Sequence, residues 1–591
     1  MSKTLPQTAD GQGVFGDFNN DGIPDFFIIA GQGKGQFRLY KGNGDGTFTQ
    51  VENNELYGKN LASAAFIDYN NDGNPDLISI GQDDYGNAIT DFFVNTGAPD
   101  YNFVWDMKLS DLFPYLHRGG GGHNPHAIAV FDYNNDGWPD ILLTGYTGNV
   151  VVRWEGNNQF RVVALFKNKQ DGTFEYVANP VDGVGDFEPV NGGSVDVADY
   201  NHDGWMDILV SGYKDSVGGA TFLYKNNGNG TFSKVSGINF IGQYQGETAF
   251  IDINNDGYAD IVEFGRNLND SWRGFSKIFI NNQDGTFTRR EESQTNIGGA
   301  CFALAVGDVN NDGWIDFLTS GWDSNNVLYY NNGDEISFTP VNFIPKDAIA
   351  RDGSVCFADL NNDGFLDMHC FGYHDPDGND ALGCWPNYFA LNKGGENVSP
   401  NRPPSVPANL QITYNRLKNC YDLSWDKSED DTTPQDAIRY NIYVKHPNGK
   451  TGCLVPADIA TGTLKVAGLQ AFIPVNKYSL YIPETDGIEI GVQAIDNGWK
   501  GSAFAIFGKE NAMNQLVIEN VDVYIVEKNI HIRNNNSDKV RCRIMTIDGK
   551  LLGKSVINVR SSWSSGQLEP GVYLIETTMG KTSQTVKRVV F

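Results

Sequence analysis

The sequence lacks the features on which most membrane proteins and common hydrolases depend. No apolar run approaches the roughly 18 to 20 residues that span a bilayer. The start MSKTLPQTAD has no apolar signal segment. We therefore expect a soluble chain, from which any export signal or lipid anchor has been removed or in which it was never present. It also contains no G-x-S-x-G, no H-E-x-x-H and no catalytic Cys/His pairing.

Positive charge and cysteine are scarce as well. Lys and Arg number 44 against 73 Asp and Glu, which gives a formal net charge of -29. Because phosphate recognition needs clustered basic side chains, this composition argues against nucleic-acid binding. The 7 cysteines fit neither a zinc site nor a small disulfide scaffold. Cys356 and Cys370 flank one loop symmetrically, so a hairpin would bring them face to face, as a disulfide or as two free thiols.

Helical periodicity is missing, and turn residues take its place. No stretch sustains apolar residues at i, i+3 and i+4, whereas the chain holds 68 glycines and many Asn and Asp. The fold class predicted from this pattern is all-β. A chain of 591 residues with 40% apolar content can form several domains, and we expect three.

A nine-residue motif, D-x-N-x-D-G-x-x-D, occurs seven times between Asp17 and Asp367. Successive copies begin 51, 64, 67, 53, 56 and 51 residues apart, which is the length of a four-stranded propeller blade. The spacing therefore predicts a seven-bladed β-propeller over residues 1–395, followed by two β-sandwich domains.

The motif offers oxygen atoms at alternate positions, as Ca²⁺ requires. Positions 1, 3, 5 and 9 supply side chains, position 7 supplies a main-chain carbonyl, and the glycine at position 6 permits a sharp turn. A strand follows each copy, unlike the helix of an EF-hand, and a metal-free Asx-turn hairpin is the alternative. The sequence thus predicts up to seven Ca²⁺ ions, with ligands Asp17, Asn19, Asp21, Ile23, Asp25; Asp68, Asn70, Asp72, Asn74, Asp76; Asp132, Asn134, Asp136, Trp138, Asp140; Asp199, Asn201, Asp203, Trp205, Asp207; Asp252, Asn254, Asp256, Tyr258, Asp260; Asp308, Asn310, Asp312, Trp314, Asp316; and Asp359, Asn361, Asp363, Phe365, Asp367.

With Phe15 and Gly16 before its first copy, the motif resembles the FG-GAP/VCBS repeats of integrin α-subunit propellers and their bacterial relatives. The resemblance covers about residues 1–395 and implies the propeller fold. It does not imply one function, because such propellers include lectins, adhesion modules and lyases.

Two details of the propeller follow from the blade pattern. The strand before each motif is rich in small residues, so we expect it to be the innermost strand. Blade 7 lacks an outermost strand of its own, and we expect residues 2–8 to supply that strand and close the ring.

The end of the propeller opposite the calcium motifs carries the loops that vary most between blades, which makes it the candidate binding face. Aromatic and charged side chains on this face suit a sugar ring or a protein hot spot, although packing between blades is the alternative. The candidate ligand-binding residues are Tyr146, Trp154, Tyr213, Arg266, Trp272, Trp322, Tyr373, His374 and Trp385.

Arg118, His123 and His126 form the one constellation that suggests catalysis. A histidine base beside an arginine that neutralises a carboxylate would suit β-elimination on an acidic polysaccharide. No second feature supports it. The predicted function is therefore a non-catalytic binding protein with a glycan or protein partner, and the alternative is a polysaccharide lyase or hydrolase.

The C-terminal third has a different pattern. Residues 396–408 form a Pro-rich linker. Residues 409–508, with Trp425 and Tyr440 at strand positions, resemble a fibronectin type III module, which usually serves as a spacer. Residues 514–591, with Asp548-Gly549 at a hairpin turn and the segment Pro570-Gly571-Val572-Tyr573, resemble the C-terminal sorting domain of proteins exported by the Bacteroidota type IX system. In an organism without that system, the same sandwich would be only a structural cap. Because calcium loops of extracellular modules bind only at about 10⁻⁴ to 10⁻³ M, we expect an extracellular or outer-membrane-associated surface protein.

Overall fold

Strands dominate every part of the chain described by the structure, a computed structural model. Helices are limited to single turns, α1 (Met107–Ser110), α2 (Glu292–Thr295) and the 3-10 turn η1 (Gln435–Ala437). The described residues are 3–4, 11–30, 36–51, 56–118, 126–147, 160–215, 217–266, 274–298, 303–321, 326–334, 336–341, 351–373, 387–396, 398–468, 471–483, 485–507, 521–526, 529–534, 540–546, 550–558, 561–567, 572–579 and 583–590.

Seven four-stranded antiparallel sheets form the predicted blades. Blade 1 contains β2 (Gln12–Gly16), β3 (Asp25–Ala30), β4 (Gln36–Gly42) and β5 (Phe48–Val51); blade 2, β6 (Asn60–Ile67), β7 (Asp76–Gln82), β8 (Ala88–Asn95) and β9 (Phe103–Trp105); blade 3, β10 (Ile128–Phe131), β11 (Asp140–Tyr146), β12 (Arg161–Asn168) and β13 (Phe174–Tyr176); blade 4, β14 (Val195–Ala198), β15 (Asp207–Lys214), β16 (Gly218–Asn226) and β17 (Phe232–Lys234); blade 5, β18 (Tyr244–Ile251), β19 (Asp260–Arg266), β20 (Gly274–Asn281) and β21 (Phe287–Arg290); blade 6, β22 (Ala303–Gly307), β23 (Asp316–Ser320), β24 (Val327–Asn331) and β25 (Phe338–Val341); and blade 7, β26 (Arg351–Ala358), β27 (Asp367–Tyr373), β28 (Asn387–Ala390) and β1 (Lys3–Thr4).

The ring closes as predicted. β1 pairs antiparallel with β28, with Lys3 opposite Phe389 and Thr4 opposite Tyr388. The N-terminal strand therefore supplies the outermost strand of the last blade, so the third strand of blade 7 is paired on both sides.

The second strand of each blade follows its nine-residue motif and lies inside the sheet. In blade 1, every residue of β3 is buried. Such a strand is covered by adjacent blades on both faces, which is why it reads as a continuous apolar run rather than as an alternating pattern. The all-β prediction and the blade assignment are confirmed.

The two cysteines of blade 7 do not face each other. Cys356 lies opposite His369, and Cys370 lies opposite Val355, so the register differs by one residue from the expected pairing. Adjacent residues of a strand point to opposite faces. Both cysteines are free thiols, and the expectation that they face each other across the hairpin is wrong.

The sandwich that directly follows the propeller packs two sheets. One consists of β29 (Ala408–Asn415), β30 (Cys420–Asp426) and β33 (Lys477–Leu480), and the other contains β31 (Arg439–Lys445), β32 (Thr451–Cys453), β34 (Glu489–Ile495) and β35 (Ala505–Ile506). In its core, the Trp425 ring meets the Tyr440 ring edge-on at 5.1 Å. Residues 1–488 and 492–504 form a single compact unit.

A second compact unit comprises residues 489–491 and 505–591. Its two sheets have the strand orders β36-β37-β40 and β39-β38-β41-β42. The strands are β36 (Val521–Val526), β37 (Asn529–Asn534), β38 (Val540–Thr546), β39 (Leu551–Ile557), β40 (Ser561–Gln567), β41 (Val572–Met579) and β42 (Ser583–Val590).

Candidate functional site

Each copy of the nine-residue motif forms a tight loop between the first and second strands of its blade. Loops 1 to 7 are the segments 17–25, 68–76, 132–140, 199–207, 252–260, 308–316 and 359–367. In loop 1, the Asp17 carboxylate accepts hydrogen bonds from the main-chain N–H groups of Asp21 (3.0 Å) and Gly22 (2.9 Å). The Asp21 carboxylate accepts one from Ile23 N–H at 3.0 Å. Gly22 has φ +77°, a conformation that glycine adopts without strain.

The same hydrogen bonds recur in the other six loops. They place the carboxylates of positions 1 and 5 inside one turn. The atoms that each loop could still offer to a metal ion are carboxylate, amide and carbonyl oxygens, which are the hard ligands suited to Ca²⁺.

The aspartate at position 9 has a structural role that the sequence did not reveal. All seven are 0% exposed. In loop 5, Asp260 accepts hydrogen bonds from Ile253 N–H (3.0 Å) and Asn281 N–H (2.7 Å), and so ties the loop to the third strand. This use requires no metal. An acid at position 9 therefore does not by itself distinguish a calcium loop from an Asx-turn hairpin.

Burial makes the loop carboxylates costly to ionise. Desolvation, together with the neighbouring charges of Asp17 and Asp21, raises the pKa of Asp25 to about 8. Desolvation likewise raises the pKa of one aspartate in each of five other loops to about 7, namely Asp68, Asp199, Asp252, Asp308 and Asp367. A bound cation would relieve this cost.

Acidic side chains alone do not complete a metal centre. In the part of the chain that the structure describes, no three His, Cys, Asp or Glu side chains are grouped so that they could hold a metal ion. The oxygens at position 3 and the carbonyl at position 7 would have to complete any site. The donor types of the motif fit Ca²⁺.

Position 4 of the motif links neighbouring loops, and sequence reasoning missed it. This residue has φ between +54° and +59° in every loop, a region that Asn tolerates better than most residues. The Asn255 side-chain amide donates to the carbonyl of Gly313 in the next loop at 3.0 Å, and Asn311 does the same to Gly364 at 3.0 Å. Bonds to the corresponding glycine carbonyl also join loops 3 to 4, 4 to 5 and 7 to 1. In loop 1, Asn20 instead donates to the side-chain oxygen of Asn74 in loop 2. The Asn or His at this position in all seven copies was the available signal.

A second hydrogen-bonded link between neighbouring blades comes from an asparagine at the end of the third strand. Asn281 donates from Nδ2 to the carbonyl of Tyr200 in the preceding blade at 2.8 Å and to that of Ala259 at 3.0 Å. The equivalent asparagines of blades 2, 3, 4, 6 and 7 make the same link to the blade before them. Blade 1 has Gly42 there, where a Cβ would lie 2.4 Å from the Pro24 oxygen.

The sandwich that directly follows the propeller covers the ring formed by loops 1 to 7. Its main chain exchanges hydrogen bonds with loop 1 (Asp17 N–H to Lys465 O, 2.8 Å) and loop 6 (Asp308 N–H to Asn497 O, 3.0 Å). Thr451, Tyr481 and Asn401 contribute main-chain donors to loops 2, 3 and 7. The Asn497 side chain, 0% exposed, bridges loops 5 and 6 by donating to Asn255 Oδ1 and Gly313 O. The module is therefore part of the propeller unit, and its interpretation as a separate spacer is wrong.

The axis of the propeller encloses a cavity of about 160 Å³. The innermost strands of all seven blades line it, as predicted for the strand before each motif, and residues 466–468 of the sandwich lie at its wall. His126 points its Nδ1 at Glu247 Oε1 in this cavity. Desolvation raises the pKa of the neighbouring Asp196 to about 7. His126 is thus an axial residue with an acidic partner.

Arg118 is also inside the protein. Its side chain is 2% exposed, and its main chain bonds to Leu61 O (3.1 Å) and to Gly192 N–H (2.7 Å). A buried arginine in this position cannot meet a polymer at the surface. His123, the third member of this constellation, lies outside the described residues.

On the candidate binding face, blades 3, 4 and 5 bring aromatic rings around an arginine. The Arg161 guanidinium lies 4.7 Å from the centre of the Tyr213 ring and 5.8 Å from that of Tyr146. Tyr244 meets Tyr213 edge-on at 5.4 Å, and Phe160 lies 6.0 Å from Tyr146. We call these five residues the aromatic–arginine cluster. Arg161, Phe160 and Tyr244 were missed, although Arg161 stands directly opposite Tyr146 in the strand register.

The remaining candidates on this face are placed only in part. Arg266 is half-buried at the end of β19. Tyr373 ends β27, and its side chain lies outside the described set. The candidates outside the described residues are Trp154, Trp272, Trp322, His374 and Trp385.

Comparison with known proteins supports the repeat assignment. The family described as "FG-GAP-like repeat" matches residues 17–79, 132–210, 267–319 and 308–370. The chain thus carries FG-GAP-like repeats in an all-β fold of the propeller type. No curated protein has significant sequence similarity to it. In the described residues, no helix is long and apolar enough to cross a membrane.

Similar solved structures include an alcohol oxidase, a lyase and a set of FN domains. A fungal alcohol oxidase of the AA5 family in complex with copper is 12% identical, with a TM-score of 0.41, covering 86% of this chain and 98% of its own. Rhamnogalacturonan lyase PL11 from Bacillus licheniformis is 12% identical, with a TM-score of 0.33, covering 65% and 73%. The FN1-FN3 domains of chicken CNTN1 are 9% identical, with a TM-score of 0.14, covering 49% and 98%. At these scores, none of the three supports an argument about function.

Proposed function

We propose that this chain is an exported, non-catalytic binding protein in which Ca²⁺ stiffens one end of a propeller and the opposite end binds a glycan or protein ligand. FG-GAP repeats are typical of extracellular proteins, where millimolar calcium would fill weak loops. In each loop, the side chains at positions 1, 3, 5 and 9 and the carbonyl at position 7 would hold the ion. A fibronectin type III-like module and a sorting-like C-terminal domain agree with display at a cell surface.

The observation that carries the binding role is the aromatic–arginine cluster. Tyr146, Tyr213 and Tyr244 are half-buried, and Phe160 is 40% exposed, so each ring keeps part of its surface available. Aromatic faces beside a cationic hydrogen-bond donor suit the apolar face and the hydroxyls of a sugar, or an anchor residue of a protein. The described residues of the Arg118 constellation are instead buried or paired with Glu247, which weighs against a polysaccharide lyase.

A glycan array with the intact protein in millimolar calcium tests the proposal. We expect binding to a defined class of glycan that weakens at least tenfold in Tyr213→Ala and is retained in Tyr85→Ala, a control tyrosine that is 91% exposed and outside the cluster. A blank array followed by capture of a surface protein through the same cluster would identify a protein ligand. Release of an unsaturated product near 235 nm from uronate polymers would instead establish a lyase and contradict the proposal.

A further inference from the structure

The Arg161 guanidinium is packed more firmly than the carboxylate that it meets. Its central carbon lies over the Tyr213 and Tyr146 rings, 4.7 Å and 5.8 Å from their centres, and the side chain is only 17% exposed. Asp215 Oδ2 lies 2.5 Å from Arg161 Nη1, but the Asp215 side chain is 76% exposed. One partner of this ion pair is therefore part of the aromatic–arginine cluster, whereas the other reaches it from the solvent side.

The contact with Asp215 leaves the guanidinium incompletely satisfied. Asp215 meets Nη1 alone, and Arg161 Nε has no hydrogen-bond partner among the described residues. Arginine binds a carboxylate best when two parallel N–H groups donate to its two oxygens. An exposed ion pair contributes little to stability, because water solvates both charges well. A carboxylate that also contacts the rings would therefore displace Asp215 at small cost.

Main-chain hydrogen bonds fix the two rings on which this guanidinium lies. Tyr146 exchanges two such bonds with His117, at 2.7 and 3.0 Å. Tyr213 exchanges two with Asn191, at 2.8 and 3.3 Å. Rings that are already held in place lose little conformational freedom when a ligand binds, so more of the contact energy appears as affinity.

Arg161 is the one charged side chain within the cluster, whose other four members are tyrosine and phenylalanine. The nearest lysine in the sequence of blade 4, Lys214, follows Tyr213 directly and therefore points to the opposite face of the strand. It pairs there with Glu188 at 2.5 Å. The cluster thus presents a single fixed positive charge between apolar ring faces.

We infer that the cluster binds a glycan through the carboxylate of an acidic sugar, and that Asp215 competes for the same guanidinium in the unliganded protein. An acidic sugar carries one carboxylate beside an apolar ring face, which matches one guanidinium beside aromatic rings. An acidic peptide offers the carboxylate on a flexible chain without a ring face to stack. The inference rests on the proposed glycan binding and names the class of glycan.

A panel of oligosaccharides that carry glucuronate, galacturonate or sialate, each compared with its own methyl ester, tests this inference. The ester keeps the sugar rings and removes the charge. With the full chain in millimolar calcium, we expect one acidic form to bind about tenfold more tightly than its ester. Arg161→Met should abolish this preference. Arg161→Lys should keep part of it, because lysine retains the charge and loses the planar pair of donors.

Asp215→Asn supplies the reciprocal test. Removal of the competing carboxylate should tighten binding of the acidic form about threefold, which is the strength of an exposed ion pair. Binding of the ester should not change. Asp171→Asn is the matched control, because Asp171 forms an exposed ion pair with Lys169 in the same blade as Arg161 and lies outside the cluster. A circular dichroism melt of each variant would show that the fold is retained.

The possible results distinguish this inference from the proposed function. Equal affinity for an acidic sugar and its ester, lost in Tyr213→Ala, would overturn the role of the carboxylate and leave glycan binding by the cluster intact. Equal binding of the acidic form by Asp215→Asn and Asp171→Asn would overturn the competition by Asp215. Failure of every acidic and neutral glycan to bind would overturn both the inference and the glycan-binding part of the proposed function.

Discussion

The Lys465 ammonium donates a hydrogen bond to the main-chain oxygen of Gly73 at 2.5 Å. This contact joins the sandwich that directly follows the propeller to loop 2, the motif of blade 2. Together with the main-chain hydrogen bonds to loops 1, 2, 3, 6 and 7, it makes the sandwich a cover for one end of the propeller. The aromatic–arginine cluster lies at the strand ends away from these loops.

The sandwich and propeller should unfold together. Trp499, 8% exposed, donates from Nε1 to Val306 O of blade 6 at 3.0 Å and stacks on Phe472. Loss of a large buried side chain costs about 3–5 kcal/mol. We therefore expect Trp499→Ala to lower the melting temperature of the propeller itself. Leu417→Ala, fully exposed in the sandwich, should have no effect.

Scanning calorimetry would check this expectation on the intact chain. A single transition for propeller and sandwich that shifts as a whole in Trp499→Ala agrees with one unit. Two transitions, of which only the smaller shifts, would mean that the sandwich is energetically independent.

The repeat predicted the fold well because its spacing and its turn chemistry are both local. The position of β1 in blade 7 was equally predictable, since the missing strand and the unassigned N-terminus complete one sheet. The cover over the loops was not, because Thr451, Lys465 and Asn497 show no pattern in the sequence that relates them to loops that lie far earlier in the chain. The burial of Arg118 likewise depends on how blades 2, 3 and 4 meet.

The asparagines that link neighbouring blades should contribute measurably to the free energy of unfolding. Asn281→Ala removes the hydrogen bonds to the carbonyls of Tyr200 and Ala259 and leaves both in a buried seam between blades 4 and 5. An unsatisfied buried polar group costs about 1–3 kcal/mol. Asn282→Ala, whose side chain bonds to Thr286 at the surface, is the matched control and should lie within about 0.5 kcal/mol of the unaltered protein. Equal losses of unfolding free energy in Asn281→Ala and Asn282→Ala, measured by urea denaturation, would contradict this role of Asn281.

Acid should destabilise the protein through His117. Burial and the adjacent Arg118 lower the pKa of His117 to about 4. Between pH 6.5 and 4 the unfolded chain binds a proton that the folded chain does not. Stability from this group is therefore complete above pH 6.5 and is lost as the pH falls through that window, by up to about 3 kcal/mol.

The free energy of unfolding of His117→Phe, compared with that of the unaltered protein at pH 7 and pH 5, checks the assignment. We expect the difference between the two pH values to be smaller in the variant. His369, whose pKa burial also lowers to about 4, should preserve part of the pH dependence. An identical pH dependence in both proteins would show that His117 is solvated in solution.

The most direct test of the central claim is the melting temperature of the full chain in EDTA and in increasing CaCl₂. Each motif contains three aspartates. Any ion that binds only the folded protein adds stability by mass action, about 2.7 kcal/mol at a hundredfold excess over Kd. We predict a melting temperature that rises with calcium through the millimolar range and a much smaller rise with equal MgCl₂. An unchanged melting temperature from EDTA to millimolar calcium would mean that the loops are metal-free Asx-turn hairpins.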